Sequence, residues 1–201
     1  RMKDLKRILS NQKAELETID LGTLCTRKEE QEIQLNSKLA QIVIGVRRSG
    51  KSTLCQKVLL QSGVHFAYVN FDDERLQRVS AEDLDDILQE LYAIYGAFTH
   101  LFLDEVQNVS GWYLFVNRLL RQGVKLILTG SNANLLSGEL STHLTGRYHQ
   151  IELYPFSFAE YCAIKGVDIN TATTLAYGLR DHALDEYIMS GGFPELITSP
   201  E

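Results

Sequence analysis

Residues 45–52, Gly45-Val46-Arg47-Arg48-Ser49-Gly50-Lys51-Ser52, spell G-x-x-x-x-G-K-S between an apolar β-branched run, Gln41-Ile42-Val43-Ile44, and a helical pattern. No other feature restricts the fold as much. The short apolar run reads as a strand buried on both faces. Leu54, Val58 and Leu59 place a helix after the loop, stopped near Gly63. Glycines in such a loop let backbone N–H groups converge on one point, and the helix adds its positive dipole end there. A polyphosphate is the anion that suits this cradle. In that reading Gly45, Arg48, Ser49, Gly50, Lys51, Ser52 and Thr53 bind the nucleotide phosphates. Lys51 reaches the β/γ oxygens and the Ser52 hydroxyl holds Mg2+. A plain strand-to-helix turn would need neither side chain.

The alternation of strand and helix continues to residue 154. His65–Phe71 reads as a second strand, and Ser80 with Asp83 forms a capping box before a stripe of Leu84, Ile87, Leu88, Leu91 and Tyr95. His100–Leu103, Val124–Leu128 and Tyr148–Leu153 read as three further strands, with a helix marked by Trp112, Phe115, Val116 and Leu119 among them. Such alternation is the sequence form of a parallel sheet with helices on both faces. Upstream, Leu5, Ile8, Leu9, Leu16 and Ile19 recur at helical spacing over residues 3–19, with Gln12 interrupting the stripe. The polar stretch Thr26–Lys38, with its Arg27-Lys28-Glu29-Glu30 cluster, reads as loop or surface helix. Downstream, Phe158–Ile164 and Thr174–Met189 read as helices, broken at Gly191-Gly192. The expected organisation is a helical segment over 1–38, a nucleotide-binding core over 39–154 and a small helical lid over 155–201.

Three further places carry chemistry. Leu101-Phe102-Leu103-Asp104-Glu105 is an apolar strand ending in two carboxylates. After a phosphate loop this spacing makes Asp104 a second residue for Mg2+, holding it through its water shell, and Glu105 the group that orients and polarises an attacking water. Leu126-Ile127-Leu128-Thr129-Gly130-Ser131-Asn132 ends in small polar residues beside that strand. Ser131 and Asn132 are the candidates to touch the γ-phosphate or the water, and either would equally serve as a helix N-cap. Arg147, just before the last strand, is a candidate to neutralise transition-state charge, in its own chain or across a subunit interface.

Taken in order, these motifs resemble those of the AAA+ ATPases. More narrowly, Gly45–Thr53, Tyr68–Leu76, Leu103–Gln107 with Gly111-Trp112, Thr129–Asn132, Leu144–Arg147, Pro155–Tyr161 and Gly191–Pro194 look like a prokaryotic AAA+-like family related to the STAND and archaeal ATPases. The resemblance implies a five-stranded parallel sheet of order 5-1-4-3-2 between helices, ATP or ADP with Mg2+ as ligands, and ATP hydrolysis. It leaves open a nucleotide-gated switch with little or no turnover, and a homo-oligomer. It also implies that Asn70 restrains Glu105, and that Phe193 and Pro194 close over the adenine. Family members continue past the Gly-Gly-Phe-Pro motif with winged-helix or nuclease-like character, so an ATPase core with a truncated lid is expected here. A DNA or protein partner of the longer protein is not legible.

Composition narrows the remaining classes. The charge balance of −6 argues against nonspecific binding of polyanions by this stretch. Cys25, Cys55 and Cys162 are odd in number and far apart, so neither a disulfide framework nor a zinc site is indicated. No apolar run approaches a membrane span, and the first residues pass from basic to polar without a leader-like apolar stretch. A cytoplasmic enzyme without membrane contact is the expectation.

Overall fold

Each of the five apolar runs forms a strand in the computed structural model, which describes residues 4–131, 135 and 139–193. The strands are β1 (Ala40–Gly45), β2 (Phe66–Asn70), β3 (His100–Asp104), β4 (Lys125–Ser131) and β5 (Tyr148–Glu152). They join in the order β2-β3-β4-β1-β5, every neighbouring pair parallel. This is the expected 5-1-4-3-2 order viewed from the other edge. The helices are α1 (Leu5–Glu17), α2 (Lys51–Ser62), α3 (Leu84–Tyr95), α4 (Trp112–Arg121), α5 (Glu139–Leu144), α6 (Phe158–Lys165) and α7 (Thr174–Ser190).

Side chains alternate across a strand, and that alternation sorts the core into two layers. Ile42 and Ile44, Ala67 and Val69, Leu101 and Leu103, and Leu126 and Leu128 pack with α1, α3 and α4. Val43, Tyr68, Phe102, Ile127 and Ile151 face the other way, onto Leu54, Cys55 and Leu59 of α2. The capping box forms as expected, with Ser80 N donating to Asp83 Oδ2 at 2.9 Å, and a short 3-10 turn at Ala81–Asp83 precedes α3. Among the described residues no helix is long and apolar enough to cross a membrane.

The segment before β1 packs into both layers. Leu5, Ile8 and Leu9 of α1 join the α3 layer, while Leu16 and Ile33 join the α2 layer. α1 therefore lies beside the edge strand β2 and covers it, which removes an unpaired edge. Gln12, which breaks the apolar stripe, is 1% exposed. Its Oε1 accepts from Asn70 N at 2.9 Å, and its Nε2 donates to Asn70 O and to Asp73 Oδ2, each at 3.1 Å. One amide side chain thus satisfies both backbone groups that Asn70 turns outward from the edge strand. Polar stretch 26–38 also departs from expectation. Arg27, Glu29 and Ile33 are all buried: Arg27 meets the backbone carbonyls of Ser49 and Tyr154, Glu29 stands 3.9 Å from Arg27, and Ile33 joins the α2 layer.

Two measurements test this packing. A Cβ on Gly45 would stand 2.3 Å from the backbone oxygen of Leu153, whereas one on Gly63, at φ +73°, would meet nothing within 4 Å. Gly45→Ala is expected to destabilise the fold by about 1–3 kcal/mol through forced backbone displacement. Gly63→Ala should lose only about 1 kcal/mol, the left-handed penalty. Urea denaturation of both variants checks the order. The second concerns acid. Hydrogen bonds from Arg75, and then Gln12, hold the Asp73 carboxyl down to about 2 from the usual 3.8. Its folded value lies below its unfolded one, so its share of stability is present above 3.8 and lost as pH falls toward 2. Asp73→Asn should flatten the acid limb of stability across that window, read from urea midpoints.

Candidate functional site

The loop between β1 and α2 sits at the carboxyl ends of the strands, where a parallel sheet presents helix N-termini to ligands. Gly50 caps α2 at φ 92°, and Arg48 holds φ 65°, so two left-handed residues curl the backbone of the loop inward. A cavity of about 410 Å³ opens there, lined by Arg47, Arg48, Gly50, Lys51, Ser52, Thr53, Asn70, Asp72, Asp104 and Glu105.

Register explains the convergence. Tyr68, Asp104 and Thr129 occupy the same parity as Phe102 and Ile127, so all three side chains face α2. Asp104 is 2% exposed and receives three hydroxyls. Ser52 Oγ lies 2.7 and 2.6 Å from its two carboxylate oxygens, Tyr68 Oη donates to Oδ2 at 3.0 Å, and Thr129 Oγ1 donates to Oδ1. Burial pushes the Asp104 carboxyl up, against the opposing pull of the Ser52 and Thr129 hydrogen bonds. Burial, and then the Asp104 charge, push the Tyr68 phenol up too, so it stays a donor. Thr129 also reaches the next residue of the chain, because its Oγ1 accepts from Glu105 N at 2.8 Å.

Glu105 follows Asp104 in the left-handed region, at φ 53°. That backbone turn aims its carboxylate along the strand ends toward the loop. Gln107 Nε2 donates to Glu105 Oε2 at 2.6 Å, and Lys51 Nζ stands 3.6 Å from Oε1. Lys51 is 4% exposed and also donates to Val46 O at 2.9 Å. One cation, two carboxylates and a hydroxyl therefore meet at the first turn of a helix.

Not every expected residue lines the cavity. Gly45 and Ser49 are buried behind the loop, and a Cβ on Gly45 would stand 2.7 Å from Ser49 Oγ. Gly45 is demanded by the closeness of Leu153, just after β5, whose N donates to Ile44 O at 2.7 Å. Asn70 lines the cavity, but its Oδ1 accepts from Asp72 N at 2.9 Å and Gln12 holds its backbone. Gln107, not Asn70, is the amide on Glu105. Ser131 is half-buried at the end of β4, while Asn132 and Pro194 lie outside the described residues. Arg147 is exposed and precedes Tyr148, which pairs with Ala40 at the opposite end of β1 from the loop. Five steps of ~3.3 Å make that separation roughly 16 Å, beyond the reach of one arginine side chain. Thr129 and Tyr68 join the site although the motifs that contain them, Thr129–Asn132 and Tyr68–Leu76, give neither a role. Their even spacing from Asp104's strand partners is the available signal.

Comparison with known proteins bears on the family and the fold. The family model of the AAA domain matches residues 37–162. An uncharacterized protein of Haemophilus influenzae is 38% identical over 169 residues, which cover 80% of this chain and 41% of that protein. The chain thus spans about two fifths of the length of that relative. Among solved structures, the Walker-type ATPase PABY2304 of Pyrococcus abyssi superposes with a TM-score of 0.51 at 17% identity, over 87% of this chain and 66% of that one. A RuvB mutant of Thermotoga maritima gives 0.53 at 16% identity, over 98% and 60%. At such identities the likeness is one of fold.

Thr129→Val keeps the side-chain shape while removing a donor to Asp104 and the acceptor for Glu105 N–H. Leaving those partners unmet is expected to cost about 1–3 kcal/mol. Urea unfolding measures it, and an unchanged midpoint would mean the threonine holds neither group.

Proposed function

The chain belongs to the AAA-domain family, and from that premise we propose that it binds ATP and hydrolyses it to ADP and phosphate with Mg2+. One observation carries the reading: Lys51, Ser52, Asp104 and Glu105 line one cavity at the N-terminus of α2. Substrate phosphates enter among the loop N–H groups and the helix dipole. Lys51 then turns its donors from Val46 O and Glu105 to the β/γ oxygens. Glu105, relieved of its cation but still held by Gln107, orients the attacking water and accepts its proton.

The metal reading rests on the donor set. Among the described residues no group of three or more His, Cys, Asp or Glu is placed to hold an ion. Ser52 and Asp104 offer one hydroxyl and one carboxylate, which suits a cation that keeps most of its shell as water and phosphate oxygen. Mg2+ fits that description, and when bound it neutralises charge across the β- and γ-phosphates. Tyr68 and Thr129, which donate to the Asp104 carboxylate, would hold it in place for such an ion. Cavity contacts from Arg48, Gly50 and Thr53 complete the phosphate cradle, and Gly45 and Ser49 act by shaping the loop from behind.

Arg147 supports a subunit-dependent step. Standing at the far end of its own sheet, it serves as a transition-state cation for a neighbouring copy in a homo-oligomer, with Asn132 positioning the water in each chain. The same placement favours a second reading, a nucleotide-gated switch in which a lone chain holds nucleotide and turns over little.

Phosphate release from Mg2+-ATP across a protein concentration series separates these. Lys51→Ala should abolish nucleotide binding. Glu105→Gln should retain it and lower turnover at least ~100-fold, the usual size of a lost general base. Specific activity that climbs with concentration and disappears in Arg147→Ala supports hydrolysis in trans. Binding without turnover at any concentration supports the switch, and wild-type protein that fails to bind ATP overturns both.

A further inference from the structure

Arg27 belongs to none of the motifs, yet it is 6% exposed and its guanidinium joins three separate parts of the molecule. One Nη donates to Ser49 O inside the 45–52 loop at 3.3 Å, and the other donates to Tyr154 O after β5 at 2.7 Å. Nε stands 2.7 Å from Glu160 Oε2 of α6, an ion pair rather than an aligned hydrogen bond. The guanidinium carbon lies 4.4 Å over the ring of Phe156. The buried Glu29 carboxylate is 3.9 Å away.

The segment Arg27 grips is held from its other side as well. Phe156 N donates to Gly192 O at 2.6 Å, and Tyr187 Oη donates to Phe156 O at 2.7 Å. Tyr161 Oη of α6 donates to Glu186 Oε2 of α7 at 2.8 Å. A Cβ on Gly192 would stand 2.4 Å from Phe156 O, so the Gly191-Gly192 turn seats directly on this segment. Residues 154–156, α6 and α7 therefore form one body, and Arg27 ties that body to the loop.

We propose that Arg27 is the positioning residue that transmits nucleotide occupancy of the loop to the α6–α7 pair, an inference that rests on the nucleotide-binding reading above. Its donors lie in one rigid plane, so a displacement at one contact is passed to the others. Buried in this way, the cation cannot release its partners without large loss, and the set moves together. The Ser49 contact is the longer of its two hydrogen bonds, and so the one with most room to shorten. Phosphate drawing the loop N–H groups inward shifts Ser49 O, and the guanidinium carries the shift to Tyr154 O and Glu160. Coupling of this kind is reciprocal: fixing α6 also biases the loop.

Hydrogen exchange of the purified protein, with and without saturating Mg2+-AMPPNP, tests the proposal. Two variants are compared with wild type. Arg27→Met removes the hub. Glu160→Gln is the milder change, since its carbonyl still caps α6 where Glu160 Oε1 accepts from Ser157 N at 2.9 Å, while the charge facing Arg27 is gone. In wild type, nucleotide should slow exchange both in residues 45–52 and in 154–165. In Glu160→Gln, and in Arg27→Met if it folds, the loop should keep its response while that of 154–165 falls at least twofold. A merely structural role would lower the basal protection of α6 and leave its nucleotide-dependent increment intact, and that result would overturn the proposal. So would a wild-type loop that responds while 154–165 does not. No response in the loop itself would instead overturn nucleotide binding, and this proposal with it.

Discussion

A carboxylate buried at the end of the central strands organises much of this molecule. Asp104 sits 2% exposed on β3, where an unpaired charge would be intolerable. Ser52, Tyr68 and Thr129 bring it hydroxyls from α2, β2 and β4. Each donor is fixed in turn by the sheet or helix that carries it, so satisfying one charge aligns four elements. The same alignment places Lys51 and Glu105 beside each other, because one follows Gly50 into the helix and the other follows Asp104 off the strand. The geometry that makes the buried charge tolerable is also the geometry that suits a phosphate.

Around that centre the segment before β1 behaves as part of the core. α1 covers the β2 edge, and Gln12 meets the outward N–H and C=O of Asn70. Arg27 spans the loop, the post-β5 segment and α6. Lys57 of α2 is buried too, paired with Glu30 at 2.8 Å and donating to Cys25 O at 3.3 Å. These buried polar side chains fasten the segment to the sheet and its helices. Directional contacts of this kind add little net stability but select one arrangement among many apolar packings.

Much of the fold is legible in the sequence because strands and helices carry different periods. Ile42-Val43-Ile44 and Leu101-Phe102-Leu103 are continuous apolar runs, as strands buried on both faces must be, and the Ser80–Asp83 box marks its helix start by local hydrogen bonding alone. Of the site, Lys51, Ser52, Asp104 and Glu105 are legible because loop chemistry and a strand-end carboxylate pair are local patterns. Thr129 and Tyr68 are not, since a threonine or tyrosine within a strand is ordinary β-former chemistry, and only register decides what it faces. Arg27 reads in the sequence as one of a surface cluster, because the partners that bury it lie 22 and 127 positions away in the chain.

By itself, then, the sequence determined the five strands, their alternation with helices in a parallel sheet and the presence of a phosphate-loop motif, but not helix α5 at Glu139–Leu144. Periodicity, glycine placement and the Gly-Lys-Ser triplet are short-range properties that need no neighbour to be read. Tertiary structure alone decided which groups meet: Gln107 rather than Asn70 on Glu105, Ser49 and Gly45 behind the cavity, and Arg147 at the far end of its own sheet. Those outcomes depend on strand register and crossover, where a shift of one residue turns a side chain to the other face. No local pattern encodes that choice, because the burial of both sheet faces at once is what enforces it.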